Sequence, residues 1–463
     1  MEYDFFDEKI SETPQNEEQE PADNDGERVP APLKTRKKLV KRVLCVLGGV
    51  AVVAAAFFGG MLTRWYTIEP EMRTLIKVKE KIDKEYYYDI SDESFYDAIF
   101  STVNARLLDP YSGYMTAEEY AAALQDMAGN RSGIGLVISS RTATGEKQML
   151  VTRVSGNSPA EAAGITSGSY IVGFGKSETE IEKSEDFSVF EKFLAERAEG
   201  ENFCLQVKKD AQTRIYTICK RAYVENYVFY RSNANAYSFE TTQNATPVEK
   251  GAPLACLGDD TAYIRLVQFA GNAAEEFDQA MGLFKTEGKK NLVLDLRGNG
   301  GGYLDILQKI AKYFCKNSDK DKPVVAIADY GEKKEYYLAA GNVYGEYFSA
   351  DSRICVLADS GTASASECLI GVMVDHGATA YADICLSERG GVAKTYGKGI
   401  MQTTYYVDMI KRDAIKLTTA EIRWPSEYCI HGRGVLPEDG TKTVAENYDG
   451  DGELKAALAA LFA

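Results

Sequence analysis

Ile354-Cys355-Val356-Leu357-Ala358 is an unbroken apolar run, and Asp359-Ser360-Gly361-Thr362-Ala363-Ser364-Ala365-Ser366-Glu367 follows it directly. Such a run suits a strand covered on both faces. The next residues carry a helical apolar pattern over 365–376, which Gly377 ends. A buried strand therefore empties through a hydroxyl-rich loop into a helix. The same alternation continues on either side. Strands are expected at 263–269, 292–296 and 324–328, and helices at 273–285 and 303–314. This is the pattern of an α/β core, placed at 223–463. The tyrosine-rich stretch 336–347 is expected to be a core-packing helix.

Upstream the character changes. Between 129 and 222, short strand patterns alternate with two short helical ones, including a helix at 187–196, as expected of a small independent module. Residues 67–128 read as helical, with Leu75, Val78, Ile82 and then Ile99, Val103, Leu107 at three- and four-residue steps. Asp109-Pro110-Tyr111-Ser112-Gly113-Tyr114 interrupts them as a turn, and Thr116-Ala117-Glu118-Glu119 has the form of a capped helix start. Residues 43–62 contain no charge, and at 1.5 Å per residue they would span about 30 Å, a bilayer core. Residues 1–33 hold eleven acidic and two basic side chains, and 34–42 hold six basic and no acidic ones. The expectation is an acidic, disordered cytoplasmic tail with a basic juxtamembrane segment at 1–42 and a transmembrane anchor at 43–62. By the positive-inside rule the chain crosses the cell membrane once, with everything after the anchor outside. A cleaved signal peptide is the alternative.

Composition narrows the chemistry. Of 463 residues 45% are hydrophobic, enough for real cores. The net charge of −16 argues against a nucleic-acid partner, which would require a basic face. His376 and His431 are the two histidines, so HExxH and three-histidine metal sites are excluded. The nine cysteines form no CxxC pair. Cys204, Cys219 and Cys355 lie in strand-like runs and are expected to be buried free thiols. No metal or other cofactor is expected.

Three stretches can carry chemistry. The first is the 359–367 loop. A hydroxyl at a helix N-terminus faces unpaired backbone N–H groups that suit an oxyanion, although Ser360, Thr362, Ser364 and Ser366 are not separable by pattern. The second is Tyr396-Gly397-Lys398-Gly399-Ile400-Met401-Gln402. A lysine acts as a base only when neutral, which burial favours, and Ser-Lys pairs are a variant of the triad logic. Gln402 would share a strand face with Lys398, but contact requires a bend near Gly397–Gly399. The third is Asp295-Leu296-Arg297-Gly298-Asn299-Gly300-Gly301-Gly302, a strand end opening into a glycine loop able to aim N–H groups at an anion. His376 fails as a base for Ser364, because twelve helical residues place it about 18 Å away. His431 is harder to exclude.

Together these stretches resemble the C-terminal processing (tail-specific) serine peptidases, from about residue 70 to about 440 and in family order. Asp109-Pro110-Tyr111-Ser112 resembles the helical-segment signature. Gly133-Ile134-Gly135, Ser158-Pro159-Ala160 and Ala163-Gly164-Ile165 resemble the PDZ part, and Leu294-Asp295-Leu296-Arg297 resembles the core strand. Ser364-Ala365-Ser366-Glu367, Tyr396-Gly397-Lys398-Gly399 and Gln402 resemble the catalytic motifs. The resemblance implies Ser364 as nucleophile, Lys398 as general base and Gln402 as the residue that positions it. It implies oxyanion N–H groups placed at Ala365 and Gly301, and a peptide-binding segment Gly133, Ile134, Gly135, Leu136. The implied fold is an α/β core like that of the Clp protease and crotonase group, with a PDZ domain at 129–222 inserted into it and one transmembrane helix before it. The implied partners are polypeptides with free C-termini, and a homo-oligomer is left open. A non-catalytic PDZ receptor and a nucleotide- or acyl-thioester-binding enzyme using the glycine loop are the rival readings. The chain departs from the family at 384–393, where about nine extra residues are expected to form a loop beside the base.

Overall fold

A computed structural model describes residues 34–143, 146–240, 245–408, 410–446 and 452–462. The acidic stretch 1–33 lies outside the described residues. The chain divides into two compact units, one reaching to Phe95 and one running Tyr96–Ala463, and the division falls within the helix Asp92–Arg106.

In the first unit the helix Lys34–Thr67 takes in the basic segment as well as the apolar one. Its stretch Val43–Met61, with a mean hydropathy of 2.3, is long and apolar enough to cross a membrane. The helix Pro70–Glu85 follows, with proline in its first turn where no backbone donor is needed.

The second unit is built around an eight-stranded sheet. Its order is Pro247–Glu249, Ala236–Phe239, Val228–Arg231, Thr261–Leu266, Asn291–Asp295, Ile354–Asp359, Ile384–Ser387, Lys442–Val444. The strands from Thr261–Leu266 onward are parallel. Leu292, Leu294, Val356, Ala358, Ile384 and Leu386 pack with the helices Ala273–Thr286, Leu304–Ala311 and Ala365–Asp375. The alternate residues Val293, Cys355, Leu357 and Cys385 pack with the C-terminal helix Gly452–Phe462. Helices on both faces explain why these strands are apolar at every position. Each fully buried Leu, Val or Phe here contributes about 1.5–3 kcal/mol.

Three expectations are corrected. Ile384–Ser387 is a fully buried strand of the main sheet, not part of a loop. Its apolar ICL run carried that signal. The stretch 336–347 is not one helix: Lys334–Leu338 is an edge strand and Tyr344–Tyr347 a single helical turn. Tyrosine is favoured in strands, and this one is largely exposed. Gly113–Met115, within the expected turn, is a strand that pairs with Ala414–Arg423. It joins a second sheet with Val324–Asp329, Lys334–Leu338 and Ile400–Tyr406. Among the thiols, Cys204 and Cys355 are buried and free, whereas Cys219 is half-buried.

Residues 136–219 form a separate antiparallel sheet with its own core of Met149, Val151, Ile171, Phe174, Phe190, Phe203 and Leu205. The helices Pro159–Ala163 and Phe187–Ala195 belong to this part. The chain enters and leaves it through a two-stranded ribbon, Asn130–Gly133 with Arg221–Val224. Beside the ribbon the buried Glu225 pairs with Arg131 at 3.0 Å and with Arg153. The module is an insertion, since Gly113–Met115 before it and Ala414–Arg423 after it pair in one sheet.

Gly371 lies in the helix Ala365–Asp375, where a Cβ would overlap the ring of the buried Trp424. Gly371→Ala is expected to destabilise the fold by about 1–3 kcal/mol, the cost of overpacking a filled core, as read from chemical denaturation.

Candidate active site

The loop between the strand Ile354–Asp359 and the helix Ala365–Asp375 is tied to the glycine loop by hydrogen bonds. Asp359 Oδ1 accepts from the N–H groups of Gly298 at 2.8 Å and Gly361 at 2.9 Å. The Ala363 N–H donates to the Asn299 carbonyl at 2.9 Å. These contacts sort the hydroxyls that the sequence could not separate. Thr362 is buried and donates to the Leu296 carbonyl at 2.8 Å. Ser366 is buried and donates to the Asn299 carbonyl at 3.0 Å. Ser364 is half-buried and caps the helix with φ 58 and ψ −119. A serine at positive φ is strained, by about 1–3 kcal/mol, and persists only where its surroundings enforce it.

Glu367, one turn into the helix and buried, supplies the enforcement. Its Oε2 accepts the Ser364 N–H at 3.0 Å and the Lys398 N–H at 2.9 Å. Its Oε1 accepts the Thr395 hydroxyl at 2.6 Å and the Gly397 N–H at 2.7 Å. One oxygen thus gathers the backbones of Ser364 and Lys398, whose amide nitrogens lie within about 6 Å of each other, the sum of two such bonds. Burial pushes the Glu367 carboxyl up, and the four donors oppose it. The sequence announces Glu367 only as the acidic end of a Ser-x-x-Glu capping box. Its second partner, the lysine loop, is remote in the chain.

Lys398 lies in the loop before the strand Ile400–Tyr406 and is half-buried. Burial, then the neighbouring Lys416 charge, lower its pKa from the ordinary lysine value, while Asp109 pulls the other way. Its Nζ lies 4.6 Å from the centre of the Tyr111 ring. A bulge separates Met401 from Gln402, and the Gln402 amide donates to Thr418 Oγ1 at 3.1 Å. Among the described residues no hydrogen bond joins Gln402 to Lys398. His376 caps its helix and sits 2.9 Å from the Val324 carbonyl through Nε2. His431 is exposed, with its backbone packed against Gly399.

The glycine loop touches the nucleophile loop at Gly301, which has φ 95. A Cβ there would stand 2.8 Å from Ser364 Cβ and 2.9 Å from the Ala365 nitrogen. The Gly301 N–H, however, donates to Asn299 Oδ1 at 2.9 Å. Contrary to the expectation, it is not directed at an oxyanion in this conformation, and Gly301 instead permits close approach. The N–H of Ala365 has no such partner among the described residues. Behind both loops lies an ion network that sequence reasoning missed. Arg389 reaches Asp359 Oδ2 at 3.1 Å and Glu453 at 2.9 Å, and Arg297 reaches Asp295 at 2.6 Å and Glu453 at 2.8 Å. The extra segment thus contributes Arg389, and the C-terminal helix contributes Glu453. In the insertion, Ile134 is buried, and its carbonyl accepts from Ala160 at 3.0 Å. Gly135 has φ 79 beside Ser158, and Leu136 begins the strand Leu136–Ala143. Gly133 instead pairs with Arg221 in the ribbon, outside that strand.

Residues 260–439 match the profile of Peptidase family S41. That stretch is similar to the S41 peptidases. A protein assigned as a CtpA-like serine protease in Staphylococcus saprophyticus is 28% identical over 371 residues, covering 80% of this chain and 65% of that protein. The chloroplastic C-terminal processing peptidase of Tetradesmus obliquus is 29% identical over 348 residues, covering 74% of this chain and 67% of that one. This chain spans about two thirds of the length of these relatives. A protein of Bacteroides fragilis assigned to the S41 proteases has the same fold, with a TM-score of 0.51 at 18% identity over 81% of this chain and 90% of that one. The resemblance to C-terminal processing serine peptidases is thereby shown. Its matched span holds Ser364, Lys398 and Gln402 but not Asp109–Met115, which completes the second sheet.

Proposed function

We propose that this chain is a membrane-anchored serine endopeptidase that cleaves polypeptides recognised by their C-terminal tails. The observation that carries the reading is the shared Glu367 oxygen, which holds the backbones of Ser364 and Lys398 side by side. Ser364 Oγ attacks a peptide carbonyl as the Lys398 amine takes its proton. The Ala365 N–H, at the positive end of the helix, stabilises the oxyanion. The Lys398 ammonium then protonates the leaving amine. Water, activated by the same amine, releases the acyl group from Ser364. Gln402 acts on this pair indirectly, by fixing Thr418 on the neighbouring strand. The core is of the Clp protease and crotonase kind, and the insertion is a PDZ domain.

Recognition takes place on the insertion. Among the described strands, Leu136–Ala143 pairs on one side only, with Glu146–Val154. Its free edge accepts a peptide as an added strand beside the helix Phe187–Ala195, and the Ile134–Leu136 turn receives the terminal carboxylate. The stretch Val43–Met61 anchors the chain, with the basic residues before it in the cytoplasm and the peptidase domain outside. A non-catalytic PDZ receptor would keep the groove without the chemistry. A serine-directed fluorophosphonate followed by peptide mass mapping tests the assignment. Modification is expected at Ser364, and modification elsewhere, or none, removes it. Amidating a substrate's C-terminus is expected to lower kcat/KM about tenfold or more, the value of a charge-assisted carboxylate contact, and an unchanged rate removes the tail-recognition role.

A further inference from the structure

We propose that Tyr111 is a positioning residue of this site, its ring roofing the Lys398 amine and keeping water from it. The inference rests on Lys398 being the base. Tyr111 itself lies outside the span that matches the S41 profile.

Tyr111 is pinned at both ends. Its N–H donates to Asp109 Oδ1 at 2.8 Å, and its hydroxyl donates to the Tyr396 hydroxyl at 2.9 Å, two residues before Lys398. The turn that carries it is fastened to the strand Ala414–Arg423. Ser112 Oγ donates to Asp109 Oδ2 at 3.2 Å and accepts the Thr418 N–H at 2.8 Å. Gly113 then pairs with Lys416 and Met115 with Ala414. Asn104 closes the turn from the other side, accepting the Tyr114 N–H at 2.8 Å and donating to the Tyr114 carbonyl at 3.1 Å. Thr418 also receives the Gln402 amide, so turn, strand and lysine loop form one assembly.

The ring acts on the amine in two opposing ways. Its face attracts the ammonium, which holds the side chain in place. Its bulk excludes water, which favours the neutral amine. Of the groups facing Lys398, Lys416 on the Ala414–Arg423 strand repels the ammonium and Asp109 on the turn attracts it. Glu367 on the nucleophile helix is occupied with the Lys398 N–H, and Tyr396 with the Tyr111 hydroxyl. Burial is the largest of these influences and lowers the pKa, so loss of the ring is expected to raise it.

The test is the pH profile of kcat/KM for a peptide substrate, measured on the full chain. Tyr111→Ala is expected to move the rising limb about one unit toward alkaline pH, costing about tenfold at pH 7 with recovery above it. Tyr111→Phe keeps the ring and is expected to restore the midpoint, with activity lowered by no more than a few-fold. Should Tyr111→Ala not fold, Tyr111→Gln replaces the ring with a polar chain of similar reach and is expected to show the same displacement. An unmoved midpoint in the folded variant, whether activity is kept or lost evenly at all pH values, overturns the proposal. Retained activity in Lys398→Ala would instead remove the base assignment, a separate outcome.

Discussion

Lys398→Ala is expected to lower kcat at pH 7 by about 10³-fold or more, the scale on which loss of a base silences a serine nucleophile. Lys398→Arg is expected to be equally inactive, because a guanidinium does not deprotonate. In the wild type the rate rises with pH as the Lys398 ammonium loses its proton. Burial places that limb below the ordinary lysine value of 10.5. Stability moves in the same direction as activity. A lysine whose folded pKa is lowered is charged at a cost in the native state, and that cost lifts as pH climbs through the folded pKa. Lys398→Met should therefore melt no lower than the wild type near neutrality while remaining inactive. A Lys398 variant that is folded by circular dichroism yet cleaves peptide at the normal rate would end the proposed mechanism.

The buried parallel strands were legible because their apolar runs are continuous, and the helix after Ser364 was legible from its period and from Gly377. Ser364, Lys398 and Gln402 could be named through motif order. What joins them could not. Tyr111 and Tyr396 meet across 285 residues, and no local periodicity encodes that contact. Glu367 looked like half of a helix cap, a role it does fill, while its other oxygen serves a loop 28 to 30 residues away. The residues at 384–393 looked like an insertion because the count was measured against a family pattern. Their own apolar character was that of a sheet strand. The oxyanion role at Gly301 is what the family resemblance implies, in a glycine-rich loop that offers many N–H groups. Which of them is free depends on the Asn299 side chain.

Glu367→Gln is the second large effect, and it separates the clamp from an ordinary buried carboxylate. Each Glu367 oxygen accepts two donors, and all four partners are N–H or O–H groups. A glutamine side chain has one acceptor oxygen and one NH₂. With nitrogen at the Oε2 position two N–H groups face a donor, and with nitrogen at the Oε1 position the Gly397 N–H does, while the Thr395 hydroxyl can turn to accept. Removing the buried charge relieves some desolvation, but the unpaired N–H groups cost about 1–3 kcal/mol each. A net loss of about 2–3 kcal/mol of stability is expected in chemical denaturation. The larger consequence is geometric. If Oε2 becomes nitrogen, neither the Ser364 N–H nor the Lys398 N–H is held, and the strained φ at Ser364 is free to relax. If Oε1 does, the Gly397 anchor of the lysine loop goes instead. Displacement of a reacting group by about 1 Å costs about 10²-fold, so kcat is expected to fall by about that factor with KM nearly unchanged, well below the melting temperature. A carboxylate serving stability alone would lower the melting point and leave kcat of the folded fraction intact. That result would detach Glu367 from the chemistry and leave the Ser364–Lys398 pairing without its organiser.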